Sequence, residues 1–222
     1  MPGTGYVTGH YNLVAAWAHR QGLKMKHMAI AAAATALFIG ASAGAVTTVG
    51  PQTDPNAMGD VSNPMVEGQA LLPSIDIFDN ATKSPEHSTL VAELRAAGLA
   101  DTLKGKGPYT VFAPTNAAYA ALPHGTVAAL LQPGNRAAAA KSAGYLVVKG
   151  RFDSQTLLKL IGENDGQAKL VTLEGAPLVA MLNGPTNIEL MDQKGNVADI
   201  SIYDIYQSNG VIQVIDKVVS PS

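Results

Sequence analysis

The feature that most constrains this chain is the segregation of its branched residues from its helix formers. Residues 169–173, 178–182 and 187–191 are short runs rich in branched side chains, separated by Gly, Pro or Asn, and such runs form strands. Lys194-Gly195-Asn196 marks a hairpin turn into residues 197–203. There Val197, Asp199, Ser201 and Tyr203 alternate with Ala198, Ile200 and Ile202, so one face of the strand is apolar. A last strand over 211–219 opens with Val211-Ile212-Gln213-Val214-Ile215, too apolar on both faces for an exposed edge.

Upstream the signals are helical. Ser74 caps a short turn through Ile75 and Phe78, and Ser88 or Thr89 starts a helix that aligns Leu90, Val91 and Leu94 before Gly98 stops it. Thr115 caps residues 116–122, which Pro123 ends, and Thr126 caps 127–131, ended by Pro133. Residues 136–142 are helical by alanine propensity. Asp153 or Ser154 opens one more helix through Leu157, Leu158 and Ile161, closed by Gly162. Early strands at 109–112 and 145–148 bring the expectation to about seven strands and five or six helices. Helices early and strands late imply an α+β fold.

A chain of 222 residues suits one good-sized domain. Residues 24–45, KMKHMAIAAAATALFIGASAGA, set a basic flank, an apolar run of about a dozen residues and a small-residue end in the order of a secretion signal. That run is short of the roughly 20 residues a spanning helix needs, so no stable span is expected after cleavage behind Ala43 or Ala45. Residues 1–24 are long for the basic region, and Met25 or Met28 would each begin a normal signal. Residues 46–70 mix Pro, Gly, Asn and Asp without a sustained period and are expected to be a flexible linker. The globular domain is expected over 71–222, as a monomer.

Charge excludes one class of partner. Of 15 basic residues, Arg20, Lys24 and Lys26 precede residue 46, leaving 12 basic against 17 acidic groups in the remainder. A mildly acidic domain lacks the field that nucleic-acid binding needs. Cysteine is absent, which removes disulfides, thiolate metal sites and a lipidated-cysteine anchor. Downstream of the leader the histidines are His87 and His124, both read as solvated loop residues, and no metalloprotease, hydrolase or phosphate-loop pattern occurs. Asp76 and Asp79 are expected to face water, and Asn80-Ala81-Thr82 matches a glycosylation acceptor by chance. No enzyme, cofactor or metal is expected.

Two segments go beyond pattern. GPYTVFAPTNAAY at 107–119 and SNGVIQVIDKVV at 208–219 resemble, in order and spacing, the two signatures of the fasciclin domain, with Thr89-Leu90-Val91 and Ala97-Gly98-Leu99 ahead of them in family order. The resemblance implies a fasciclin-like wedge of two β-sheets flanked by helices, in secreted or surface-tethered proteins used for adhesion or matrix contact. Small bacterial members are exported, some of them in symbiotic bacteria. Within the signatures, Thr110, Phe112 and Tyr119 fit a buried strand passing into a capped helix, and Asn209-Gly210 is expected to supply a positive-φ hinge.

In animal members a central Tyr-His pair and an Asp-Ile pair ahead of the second signature are linked to integrin contact. Here Tyr145 is kept while Leu146 replaces the His, and Asp204-Ile205 is present. Tyr145, Asp204 and Ile205 are therefore the candidate partner contacts, although Asp204 equally suits capping the turn before Asn209. Two functions follow from the resemblance: a non-catalytic adhesion or envelope-interaction protein, secreted or periplasmic, with a protein or polysaccharide partner; or a carrier of an apolar small molecule, pigment or lipid.

Overall fold

A computed structural model describes residues 63–66, 68 and 70–222. The secretion signal, its cleavage sites and most of the expected linker lie outside the described residues.

Strands and helices interleave as the residue pattern requires. The helices are α1 (Ile77–Ala81), α2 (Ser88–Ala97), α3 (Ala100–Lys104), α4 (Asn116–Ala120), α5 (Thr126–Leu130), α6 (Arg136–Tyr145) and α7 (Ser154–Glu163). The strands are β1 (Tyr109–Pro114), β2 (Val147–Lys149), β3 (Gln167–Val171), β4 (Pro177–Asn183), β5 (Asn187–Met191), β6 (Val197–Gln207) and β7 (Gly210–Ile215). Thr115 accepts from Ala118 N–H and Asp153 from Thr156 N–H, so both expected caps hold their helices. Asp76 rather than Ser74 caps α1, accepting from Asp79 N–H, and α5 starts behind Gly125 with no side-chain cap. Gly98 ends α2 at φ 75, where Leu99 N–H reaches back to Leu94 O at 2.9 Å.

The strands form one seven-stranded sheet in the order β2-β1-β7-β6-β5-β4-β3, not two separate sheets. The cause is β6. It pairs with β5 at one end and β7 along the rest, and register shifts between Ile200 and Ile202 and between Ile202 and Ile205 bend it where the two halves join. β1 and β7, second and third from the β2 edge, run parallel, and the other neighbours are antiparallel. The two outer strands curl toward each other: Val148 bridges Thr172, and Leu173 N–H donates to Val147 O at 2.8 Å. The result is a nearly closed, barrel-like sheet with helices packed over it.

The helix expected from alanine propensity runs further than expected, through Tyr145, so β2 begins only at Val147. Ala139 and Ala143 are buried and small, which lets α6 lie close against α2, while Gly144 leaves room for Glu174 on another face. All six residues of β7 are buried, as a strand apolar on both faces requires. The packed unit also reaches upstream of Leu71. Val66 is 1% exposed within the core, and Asn63 pairs with the backbone of Tyr206 on β6: Oδ1 accepts from Tyr206 N–H at 2.7 Å, and Nδ2 donates to Tyr206 O at 2.7 Å. A side-chain amide here reproduces one step of a strand ladder.

Candidate functional site

The two signature segments become β1 with α4 and β7 with its approach. Tyr109 faces Gly210 and the register continues without a break to Pro114 facing Ile215. Gly210 is required there for close approach and not for an unusual φ, which corrects the hinge expectation. A Cβ at 210 would run into Tyr109 O and lie 2.8 Å from Ile77 Cδ1. Asn209 holds the junction together. Its Nδ2 donates to Leu103 O and Gly105 O, both at 2.7 Å, and its Oδ1 accepts from Ile77 N–H at 3.0 Å. At this junction Asn209 and Gly210 thus serve the fold, while Ser208, Asp216 and Lys217 of the second signature stay exposed.

Of the three candidate contacts, Tyr145 and Ile205 are each 0% exposed. Tyr145 closes α6 and its hydroxyl donates to Pro177 O at 2.8 Å; burial pushes the phenol up to about 12. Asp204 stands at the bend of β6 with φ 59, a conformation Asp tolerates better than most residues. Its Oδ1 accepts from Ser154 N–H at 2.7 Å and from Gln213 Nε2 at 2.9 Å, and its Oδ2 pairs with Ser154 Oγ at 2.5 Å. Asp204 N–H in turn donates to Gln213 Oε1 at 3.0 Å. The carboxylate therefore joins the sheet to the first turn of α7, beside the Asp153 cap. The structure brings Asp204 and Ile205 together by sequence adjacency and leaves Tyr145 in a separate contact with β4.

Two buried ionisable groups escaped the sequence reading. His87 is not a solvated loop residue but lies buried ahead of α2, with Nδ1 2.8 Å from Ser84 Oγ and Nε2 without a partner among the described residues. Burial lowers its pKa to about 4, so the ring is neutral. Glu93, on the α2 face toward α4, is buried with Tyr119 hydroxyl donating to Oε2 at 2.5 Å and Oε1 without a hydrogen-bond partner among the described residues. Burial raises the Glu93 pKa, and the Tyr119 bond only partly offsets it. Neither residue type nor spacing flags these positions, since His87 in the turn ahead of α2 and Glu93 on α2 are buried only once that helix docks. His124 is exposed as expected. Asn80 is buried, donating to Leu72 O at 2.7 Å and to Gln207, so the apparent glycosylation acceptor is a core amide. Among the described residues no group of three His, Asp or Glu is placed to hold a metal, and no helix is long and apolar enough to cross a membrane.

A near-closed sheet with two signature strands paired in parallel inside it defines a scaffold of the fasciclin type. The family model for the fasciclin domain matches residues 85–221, and the chain belongs to that family. Protein sll1483 of Synechocystis sp. is 36% identical over 149 residues, 67% of this chain and 74% of that protein. Immunogenic protein MPB70 of Mycobacterium bovis is 30% identical over 195 residues, 85% of this chain and 90% of that one. The domain pair of the insect cell adhesion molecule Fasciclin I has the same fold, with a TM-score of 0.59 at 14% identity. That match covers 65% of this chain and 50% of the insect structure.

Proposed function

We propose that this chain is an exported, non-catalytic adhesion module that contacts a protein or polysaccharide of the cell envelope or surrounding matrix. The observation that carries the reading is the internal use of both signatures: Asn209, Gly210 and the β1–β7 pairing serve the scaffold, leaving recognition to the outer surface. The shared fold of an insect cell adhesion molecule supports the adhesive role. The buried ionisable groups favour a non-catalytic one. His87 and Glu93 are buried and bonded to Ser84 and Tyr119 inside the fold, where a substrate does not reach.

On this reading Tyr145, Asp204 and Ile205 are scaffold residues, the leader directs secretion to the periplasm or medium, and the folded unit works as a monomer. The test is native isolation followed by binding of the purified protein to envelope polysaccharide and to whole cells. Saturable binding with no extractable ligand supports adhesion. A visible absorption band or a stoichiometric co-purifying lipid overturns it in favour of a carrier.

A further inference from the structure

The sheet comes close to closing and then opens. Beyond the Val148–Thr172 bridge, β2 and β3 diverge around a crevice of about 610 Å³ whose apolar surface includes Phe152, Leu160 and Leu173. Val171 on its rim is 67% exposed, the most exposed of the large apolar side chains among the described residues. The backbone along the opening is unfinished. Thr172 N–H donates to Ala176 O across the β3–β4 hairpin, so ladder alternation turns the N–H and C=O groups of Lys169 and the N–H of Val171 away from β4 and toward the opening, while the Val171 C=O lies on the side already bridged to β2.

Charge narrows what can dock there. Lys149 and Lys169 are exposed on the two sides of the crevice, and among the described residues neither forms an ion pair. A second copy of this edge would bring the same lysines and be repelled, which is how natural sheets guard their edges. A partner strand carrying carboxylates meets the opposite situation. The outward N–H and C=O groups call for an extended backbone, which a small apolar molecule does not offer.

We propose that the open edge of β3 accepts an extended, acidic segment of a partner protein as an additional strand. Its carboxylates face Lys149 and Lys169, and an apolar side chain packs on Val171 and Phe152. The inference rests on the reading of the chain as a binding module and specifies the partner's chemistry.

The experiment titrates the full chain with the synthetic peptide Thr-Thr-Glu-Val-Val-Val-Glu-Thr, in which both Glu and the central Val share one face as Lys169 and Val171 do, and follows amide hydrogen exchange. Saturable binding that slows exchange at Lys169 and Val171 supports strand addition. Charge reversal by Lys149→Glu with Lys169→Glu should weaken binding by about tenfold or more, as loss of two complementary charges allows, and the peptide with Lys in place of Glu should restore it. Both lysines are exposed, so an unchanged melting curve checks the fold. Absence of binding, binding without protection of these amides, or indifference to charge reversal overturns the inference. Whole-cell adhesion by a protein whose edge amides stay unprotected overturns strand addition while the adhesive reading survives. Peptide protection without any cell or polysaccharide binding leaves strand addition standing and removes the adhesive reading.

Discussion

Replacing Asp204 separates scaffold from contact, and the structure gives the size of the effect. The carboxylate accepts from Ser154 N–H, from Ser154 Oγ and from Gln213 Nε2. Removing a helix-start acceptor costs about 1 kcal/mol, and losing further hydrogen bonds to a charged group adds about 1.5 kcal/mol. Gln213 keeps its bond to Phe152 O at 3.1 Å, while the second N–H of this buried amide loses its acceptor, which is part of the loss just counted. Ala at φ 59 adds about 1 kcal/mol of left-handed strain. Asp204→Ala should therefore destabilise by about 3.5 kcal/mol, with Asp204→Gly at about 2.5 because it escapes the strain, and Asp204→Asn at about 1 because an acceptor oxygen remains. Urea denaturation by linear extrapolation measures the series. Thermal melts should fall by about 2–4 °C per kcal/mol for a domain of this size. Adhesion measured well below each midpoint should be unchanged. An Asp204→Ala protein that unfolds like the parent, within about 0.5 kcal/mol, refutes the capping argument. If it also fails to adhere, Asp204 belongs to the contact surface.

Four further outcomes follow from particular contacts. Asn63→Ala removes the amide pairing to Tyr206 and should cost about 1–2 kcal/mol; a chain beginning at residue 71 should also lose the Val66 contact, and coincident unfolding curves for the truncated and full folded units would show that the upstream segment contributes nothing. His87, with its folded pKa near 4 and an unfolded value of 6.5, binds protons more readily when unfolded, so its contribution is complete above pH 6.5 and is lost as pH falls toward 4; His87→Gln should flatten that limb of a stability-versus-pH curve. Glu93 has the opposite sign: its raised pKa makes its contribution complete below 4.5 and lost as pH rises through the folded value, so Glu93→Gln should remove a decline on the alkaline side, and an unaltered profile would contradict a buried neutral carboxyl. Gly210→Ala forces β1 and β7 apart and should cost about 3 kcal/mol or more, read by urea midpoint or by loss of soluble protein.

What was legible in the sequence is what local chemistry determines. Thr115, Asp153 and Gly98 punctuate helices through bonds within a few residues of themselves, and their roles hold in the structure. The run at 187–191 coincides with β5, because alternation between the glycine and asparagine turns on either side of it leaves no other register. The α+β class and the signature pair were likewise readable. Tertiary structure decided the rest, wherever the deciding partner is distant in sequence. Asp204 bends β6 by bonding Ser154, fifty residues upstream, so the strand continues to Gln207 where alternation alone ends it near Tyr203. Tyr145 joins α6 because Ala139 and Ala143 pack on α2, which overrides the strand preference of the residues that follow. His87 and Glu93 are polar letters in a pattern and become buried only when α2 docks. The opening between β2 and β3 has no local signature at all, since it is set by how far a bent seven-stranded sheet curls before its edges meet.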